Sequence, residues 1–95
     1  MKLKNKVAVI AGGTKGIGLG SALEFARDGA SVVVGGTNPK NGEAAESEIA
    51  AAGGDGMCVR CDVSSVEELE YILTETGERY GRVDMDVANA GFSDS

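Results

Sequence analysis

Histidine is absent from this chain, and only two cysteines are present, Cys58 and Cys61. A zinc site would need two further ligands beside them, so no metal site is expected. The C-x-x-C spacing also serves redox chemistry, but there it sits at a helix N-terminus. Here both cysteines fall in an apparent strand, Gly56 to Asp62. Residues three apart in a strand point to opposite faces. The strand reading makes them unlinked packing residues, with redox or metal duty as the alternative. Long apolar runs are also missing: none reaches about 18 residues, the length a membrane span needs. An excess of basic residues is missing too. The net charge of −6 argues against nucleic acid and anionic membranes as partners. Met1 to Lys6 carries three lysines, but the apolar run that follows is too short for a signal peptide. The expected compartment is therefore the cytoplasm. Repeats, low-complexity tracts and linkers are likewise missing. At 95 residues the chain is read as one domain with a modest core.

What is abundant is glycine. Its 15 copies fall at turns rather than in a period. The densest stretch is Gly12-x-x-x-Gly16-x-Gly18, between the apolar run Val7 to Ala11 and a helical pattern that starts near Ile17. Gly12 would let the chain leave the strand in a tight turn. Gly16 would let the backbone approach a pyrophosphate, and Gly18 would let the helix pack close to a sheet. The first turn of that helix offers unpartnered N–H groups and the positive end of the macrodipole, which together hold an anion. Loops of this kind also serve as plain strand-to-helix turns.

The rest of the chain alternates strands and helices. Ile17, Leu19, Ala22, Leu23 and Ala26 recur at helical spacing, and Gly29 ends that helix. Ser31 to Val34 reads as a second strand, closed by Gly35-Gly36-Thr37. Asn38-Pro39 reads as an N-cap and first helical position, opening a helix toward Ala52 with Ala45, Ile49 and Ala52 as its thin apolar face. The third strand runs to Asp62. Ser64 and Ser65 each have a glutamate three residues on, Glu67 and Glu68, so either forms a capping box. Val66, Leu69, Ile72, Leu73 and Tyr80 give the third helix its apolar face, and Gly81 ends it. Val83 to Asn89 is the fourth strand. Such a β-α-β-α-β-α-β order implies a parallel sheet with helices on both faces, and ligands bind beyond the carboxyl ends of its strands. Gly12–Gly18, Gly36–Thr37, Asp62–Val63 and Asn89–Gly91 all follow strand ends, so four loops converge on one rim.

Taken in order, the glycine loop, Asp62-Val63 and Ala88-Asn89-Ala90-Gly91 resemble the T-G-x-x-x-G-x-G, D-V and N-N-A-G motifs of the short-chain dehydrogenase/reductase family. The resemblance covers all 95 residues and corresponds to the N-terminal part of that family's fold. It implies a Rossmann-like doubly wound parallel sheet of four strands, in the order 3-2-1-4, and three helices. Residues 1–95 would be its dinucleotide-binding part. Gly12, Thr14, Lys15, Gly16, Ile17 and Gly18 would line the pyrophosphate and adenosine ribose. Gly36, Thr37 and Asn38 would meet that ribose. The Asp62 carboxylate would accept from the adenine amino group, with the Val63 backbone beside it, or else act as a strand-end cap. Asn89, Ala90 and Gly91 would lie against the riboses, with Asn89 either touching cofactor or bracing the sheet.

The resemblance also implies the cofactor. NAD-using members usually place an acid at the end of the second strand, where this chain has Gly36. NADP-using members often carry a basic residue where Lys15 stands. NADP is thus expected over NAD. Position 11 is alanine where the family usually has threonine, and position 88 is alanine where it has asparagine. Asp86 stands mid-strand where the family is apolar, and a buried carboxylate needs a partner. The family's catalytic serine and Y-x-x-x-K have no counterpart in these residues. Tyr71 is followed four on by Glu75 and Tyr80 by Asp84, so both tyrosines are expected to pack rather than catalyse. No catalytic residue is therefore assigned, and these residues alone are expected to bind cofactor without turnover. The alternative is a non-catalytic nucleotide-binding or interaction module. With the fourth strand's outer edge uncovered, self-association through it is expected.

Overall fold

A computed structural model describes residues 3–12, 16–62 and 64–88. The element order is β1 (Val7–Ala11), α1 (Gly16–Arg27), β2 (Ser31–Gly36), α2 (Pro39–Ala51), β3 (Asp55–Arg60), α3 (Val66–Tyr80) and β4 (Met85–Ala88). The four strands form one parallel sheet in the order β3-β2-β1-β4. That is the expected doubly wound architecture.

Period-two alternation divides the core into two layers. Ile10, Val32 and Val34 point to one face, where they meet Ala22 and Ala26 of α1 and Ala45 and Ile49 of α2. Val9 and Val33 point to the other, where they meet Ile72 of α3 and Cys61. β1 is buried along its whole length, as an all-apolar strand between two helical layers must be. Cys58 packs with the first layer and Cys61 with the second, and both thiols are unlinked. Burial pushes both thiols up, helped by the Glu46 carboxylate at Cys58 and by those of Glu68 and Asp62 at Cys61.

The helix ends follow the local chemistry of the sequence. Asn38 caps α2, its Oδ1 accepting from the Lys40 and Asn41 N–H groups at 2.9 and 3.3 Å. Ser65 caps α3, and Gly81 closes it at φ 80°. Only half of the expected capping box forms. The Ser65 hydroxyl accepts from the Glu68 N–H at 3.3 Å, but the Glu68 carboxylate turns elsewhere, to the Asp62 N–H.

Several boundaries differ from expectation. β2 continues through Gly35 and Gly36, because both keep their register partners on neighbouring strands. β3 stops at Arg60 rather than Asp62, since the Asp62 N–H is taken by Glu68 instead of a ladder carbonyl. β4 starts at Met85 rather than Val83, which is exposed. Just before it, the Asp84 carboxylate accepts from the Val7 N–H at 2.8 Å while the Asp84 N–H donates to the Val7 carbonyl at 2.8 Å. Arg82 holds the same carboxylate at 2.7 Å and, with the Val7 N–H, keeps its pKa below the ordinary value.

Two residues read as packing are not. Tyr71 is 52% exposed, because one helical step of about 100° from Ile72 turns it off the buried stripe. Val66 is 70% exposed, since the first residue of the helix overhangs the end of that stripe. Tyr80 does pack against the second layer, as expected. Asp86 lies in β4 opposite Val9 in register, and its side chain lies outside what is described.

On the β3 edge of the sheet, the Cys58 N–H donates to Glu46 Oε2 of α2 at 2.6 Å. Among the described residues no helix is long and apolar enough to cross a membrane.

Candidate nucleotide-binding rim

Parallel pairing puts all the strand carboxyl ends on one side of the sheet. Ala11 stands opposite both Gly35 and Ala88, and Gly36 stands opposite Arg60. These strand ends therefore lie along one rim.

Gly12 leaves β1 with φ 82°, in the left-handed region that a side chain rarely adopts. Its N–H donates to the Gly35 carbonyl at 2.8 Å, which ties the turn to the next strand. Thr14 and Lys15 lie outside the described residues. Gly16, Ile17 and Gly18 form the start of α1, and that first turn contains no acidic residue. A helix start without acidic side chains is a place where backbone N–H groups and the dipole can meet an anion. Gly36 ends β2, and its carbonyl accepts from the Cys61 N–H at 3.0 Å. Thr37 is exposed beside it. Asn38 is committed to capping α2 through Oδ1, so its side chain has a structural task on the rim.

Asp62 sits beyond β3, half-buried. The Ser64 hydroxyl and N–H donate to its Oδ1 at 2.7 and 3.0 Å. These two bonds, with a smaller contribution from Arg60, hold the carboxyl below its ordinary value of 3.8. It is an anion at neutral pH, and among the described residues no donor meets Oδ2. Val63, Asn89, Ala90 and Gly91 lie outside the described residues.

The sequence reading did not single out Arg60. It ends β3 opposite Gly36, with its side chain 72% exposed and Nη1 3.6 Å from Glu68 Oε1. A basic residue two positions before the Asp-Val pair was the available signal. Glu68 was read only as a capping residue.

Comparisons to known proteins bear on the family of the chain. The family model described as short chain dehydrogenase matches residues 6–95. A 3beta-hydroxysteroid dehydrogenase of Mediterraneibacter gnavus is 37% identical over 91 residues, which cover 96% of this chain and 33% of that protein. The chain thus spans about a third of the length of the curated relatives it matches. Among solved structures, a metagenomic short-chain oxidoreductase in complex with NADP aligns at TM-score 0.88 and 35% identity, over 96% of this chain and 41% of that one. An NAD+-bound xylitol dehydrogenase aligns at TM-score 0.84 and 27% identity, over 90% and 33%. With a match that runs from the start of β1 through the last residue, the chain belongs to the short-chain dehydrogenase family.

Proposed function

We propose that residues 1–95 bind a nicotinamide dinucleotide, NADP in preference to NAD. In the whole protein they would serve hydride transfer to or from a carbonyl or alcohol substrate. The observation that carries this reading is the rim. It has a positive-φ glycine turn and an acid-free helix start after β1, and a fixed carboxylate after β3. Gly12 and the first turn of α1 would take the pyrophosphate. Asp62 Oδ2 would accept from the adenine amino group. A bound nicotinamide would donate or accept the hydride.

The preference for NADP rests on the second strand. β2 ends in Gly36 followed by Thr37 and Asn38, so no carboxylate there repels a 2′-phosphate. Arg60 stands across from Gly36 and Lys15 precedes Gly16, two cations in reach of that rim by sequence and register. The family supports either cofactor, and the two similar structures hold one of each.

Calorimetry on the 95-residue chain tests the reading. NADP is expected to bind at least about tenfold more tightly than NAD, a difference of about 1.4 kcal/mol. Adenosine 2′,5′-bisphosphate is expected within about tenfold of NADP, because the assigned residues hold the adenosine half. NADPH oxidation by these residues alone is expected to be nil, since no assigned side chain donates a proton to substrate. Equal affinities for the two cofactors, or a tighter NAD, would overturn the preference. Turnover that survives re-purification would overturn the non-catalytic part.

The proposed compartment is the cytoplasm. β4 is an edge of the described sheet, and self-association of the 95-residue chain through it is proposed. Sedimentation as a monomer at high concentration would contradict this.

A further inference from the structure

Between the end of β3 and the start of α3 the chain makes a short connection, and several polar groups among its described residues are tied down. The Cys61 N–H donates to the Gly36 carbonyl at 3.0 Å. The Ser65 N–H donates to the Asp62 carbonyl at 2.9 Å. The Asp62 N–H donates to Glu68 Oε1 at 2.6 Å. The Cys61 thiol lies 3.5 Å from the Glu68 carbonyl. Glu68 is itself held, because its N–H is capped by the Ser65 hydroxyl.

A capping-box glutamate returns to the N–H of its own cap residue. Here that N–H, on Ser65, already donates to Asp62, and Glu68 reaches three residues further back. The bond it makes there is charge-assisted, the stronger kind. Its ion pair with Arg60 is wide at 3.6 Å and solvent-exposed, and contributes little.

We propose that Glu68 is a positioning residue. By fixing the Asp62 backbone, it aims the Asp62 carboxylate at the 6-amino group of the cofactor's adenine. This rests on the nucleotide-binding reading above. The Asp62 side chain has few ways to move independently. Ser64 holds Oδ1 by two bonds, and Glu68 holds the backbone from which that side chain springs. With both in place the direction of Oδ2 is set before any ligand arrives. A hydrogen bond is lost over a displacement of about 1 Å, so base discrimination depends on this bracing.

The test compares two cofactors that differ at the 6-substituent of the purine and in the proton on N1. NADP carries a 6-amino group; nicotinamide hypoxanthine dinucleotide phosphate carries a 6-oxo group and an N1–H, so no donor remains at position 6. In calorimetry the unaltered chain is expected to favour the adenine form by about tenfold or more. Glu68→Ala is expected to bring the ratio to within about threefold, mainly by weakening the adenine form. Glu68→Gln keeps an acceptor at the same reach and is expected to keep the ratio. Glu68→Asp keeps the charge but is one methylene too short, and is expected to lose it. Circular dichroism of each variant establishes that it is folded, and the Gln/Asp pair stands if Glu68→Ala does not fold.

A merely structural glutamate would weaken both cofactors alike and leave the ratio unchanged, which would overturn the inference. So would Asp rescuing the ratio and Gln failing. If the unaltered chain does not distinguish the two bases, the reading of Asp62 itself is wrong and the inference falls with it. A ratio that persists in Glu68→Ala refutes Glu68 alone.

Discussion

Replacing Ile49 by alanine is expected to cost about 2–5 kcal/mol of stability, the range for truncating a fully buried aliphatic side chain. The expectation is specific to this helix. α2 buries only Gly42, Ala45 and Ile49, so one side chain supplies most of the apolar volume that seats it on the sheet. Ile49 is fully enclosed, and its branched end lies against Gly56 of β3, where a Cβ would come within 2.6 Å of Ile49 Cγ2. Gly56 has no side chain that could swing in to fill the space. Domain stabilities are about 5–15 kcal/mol, so the loss takes a large share of the whole. Ile49→Val should cost only about 0.5–1.5 kcal/mol. Urea unfolding with an unchanged slope reads both. A loss below about 1 kcal/mol for Ile49→Ala would mean that α2 is held by something other than this contact.

Gly54→Ala is expected to be the next most damaging change, at about 1–3 kcal/mol. Gly54 lies where the chain enters β3, against the C-terminal half of α1. A Cβ there would sit 2.6 Å from Ala26 Cβ, 3.0 Å from Ala26 Cα and 3.3 Å from the Ala30 carbonyl oxygen. None of these atoms can rotate away. The helix or the strand entry must shift, and Ala26 is fully buried. Gly20 provides the control. It lies on the exposed side of α1, a Cβ there meets nothing within 4 Å, and Gly20→Ala should stabilise by about 0.5–1 kcal/mol. Thermal melts of the two variants should move in opposite directions. A Gly54→Ala protein that melts with the unaltered chain would show that the close approach is absent in solution.

Features with a period or a local chemical rule were legible in the sequence. The apolar run of β1, the caps at Asn38 and Ser65 and the stop at Gly81 all follow from residues within a few positions of one another. Alternation of strands and helices gives the parallel sheet, but its order came only with the family resemblance. Features that join distant residues were not. The Asp84 carboxylate meets the Val7 N–H across 77 positions, and the Glu46 carboxylate meets the Cys58 N–H across 12. Neither leaves a pattern along the chain. Tyr71 was read as packing because no lysine follows it four residues on, but its angle around the helix turns it out of the core. Of the rim, Gly12, Thr37 and Asp62 were legible as residues that follow strand ends, whereas Gly36, read the same way, is the last residue of β2. The detour of Glu68 to Asp62 was not, because it depends on a rival bond already occupying the Ser65 N–H.

The bond between Glu46 and the Cys58 N–H gives the two edges of the sheet different susceptibility to misassembly. A foreign strand that adds to β3 must take the Cys58 N–H as part of its ladder. It would first have to displace a carboxylate, and then cover that carboxylate's charge without giving it a replacement donor. Fibril growth by strand addition is thus obstructed at β3 by a side chain rather than by a neighbouring element. A helix residue, contributing almost nothing to the core, serves there as a gatekeeper against cross-β stacking.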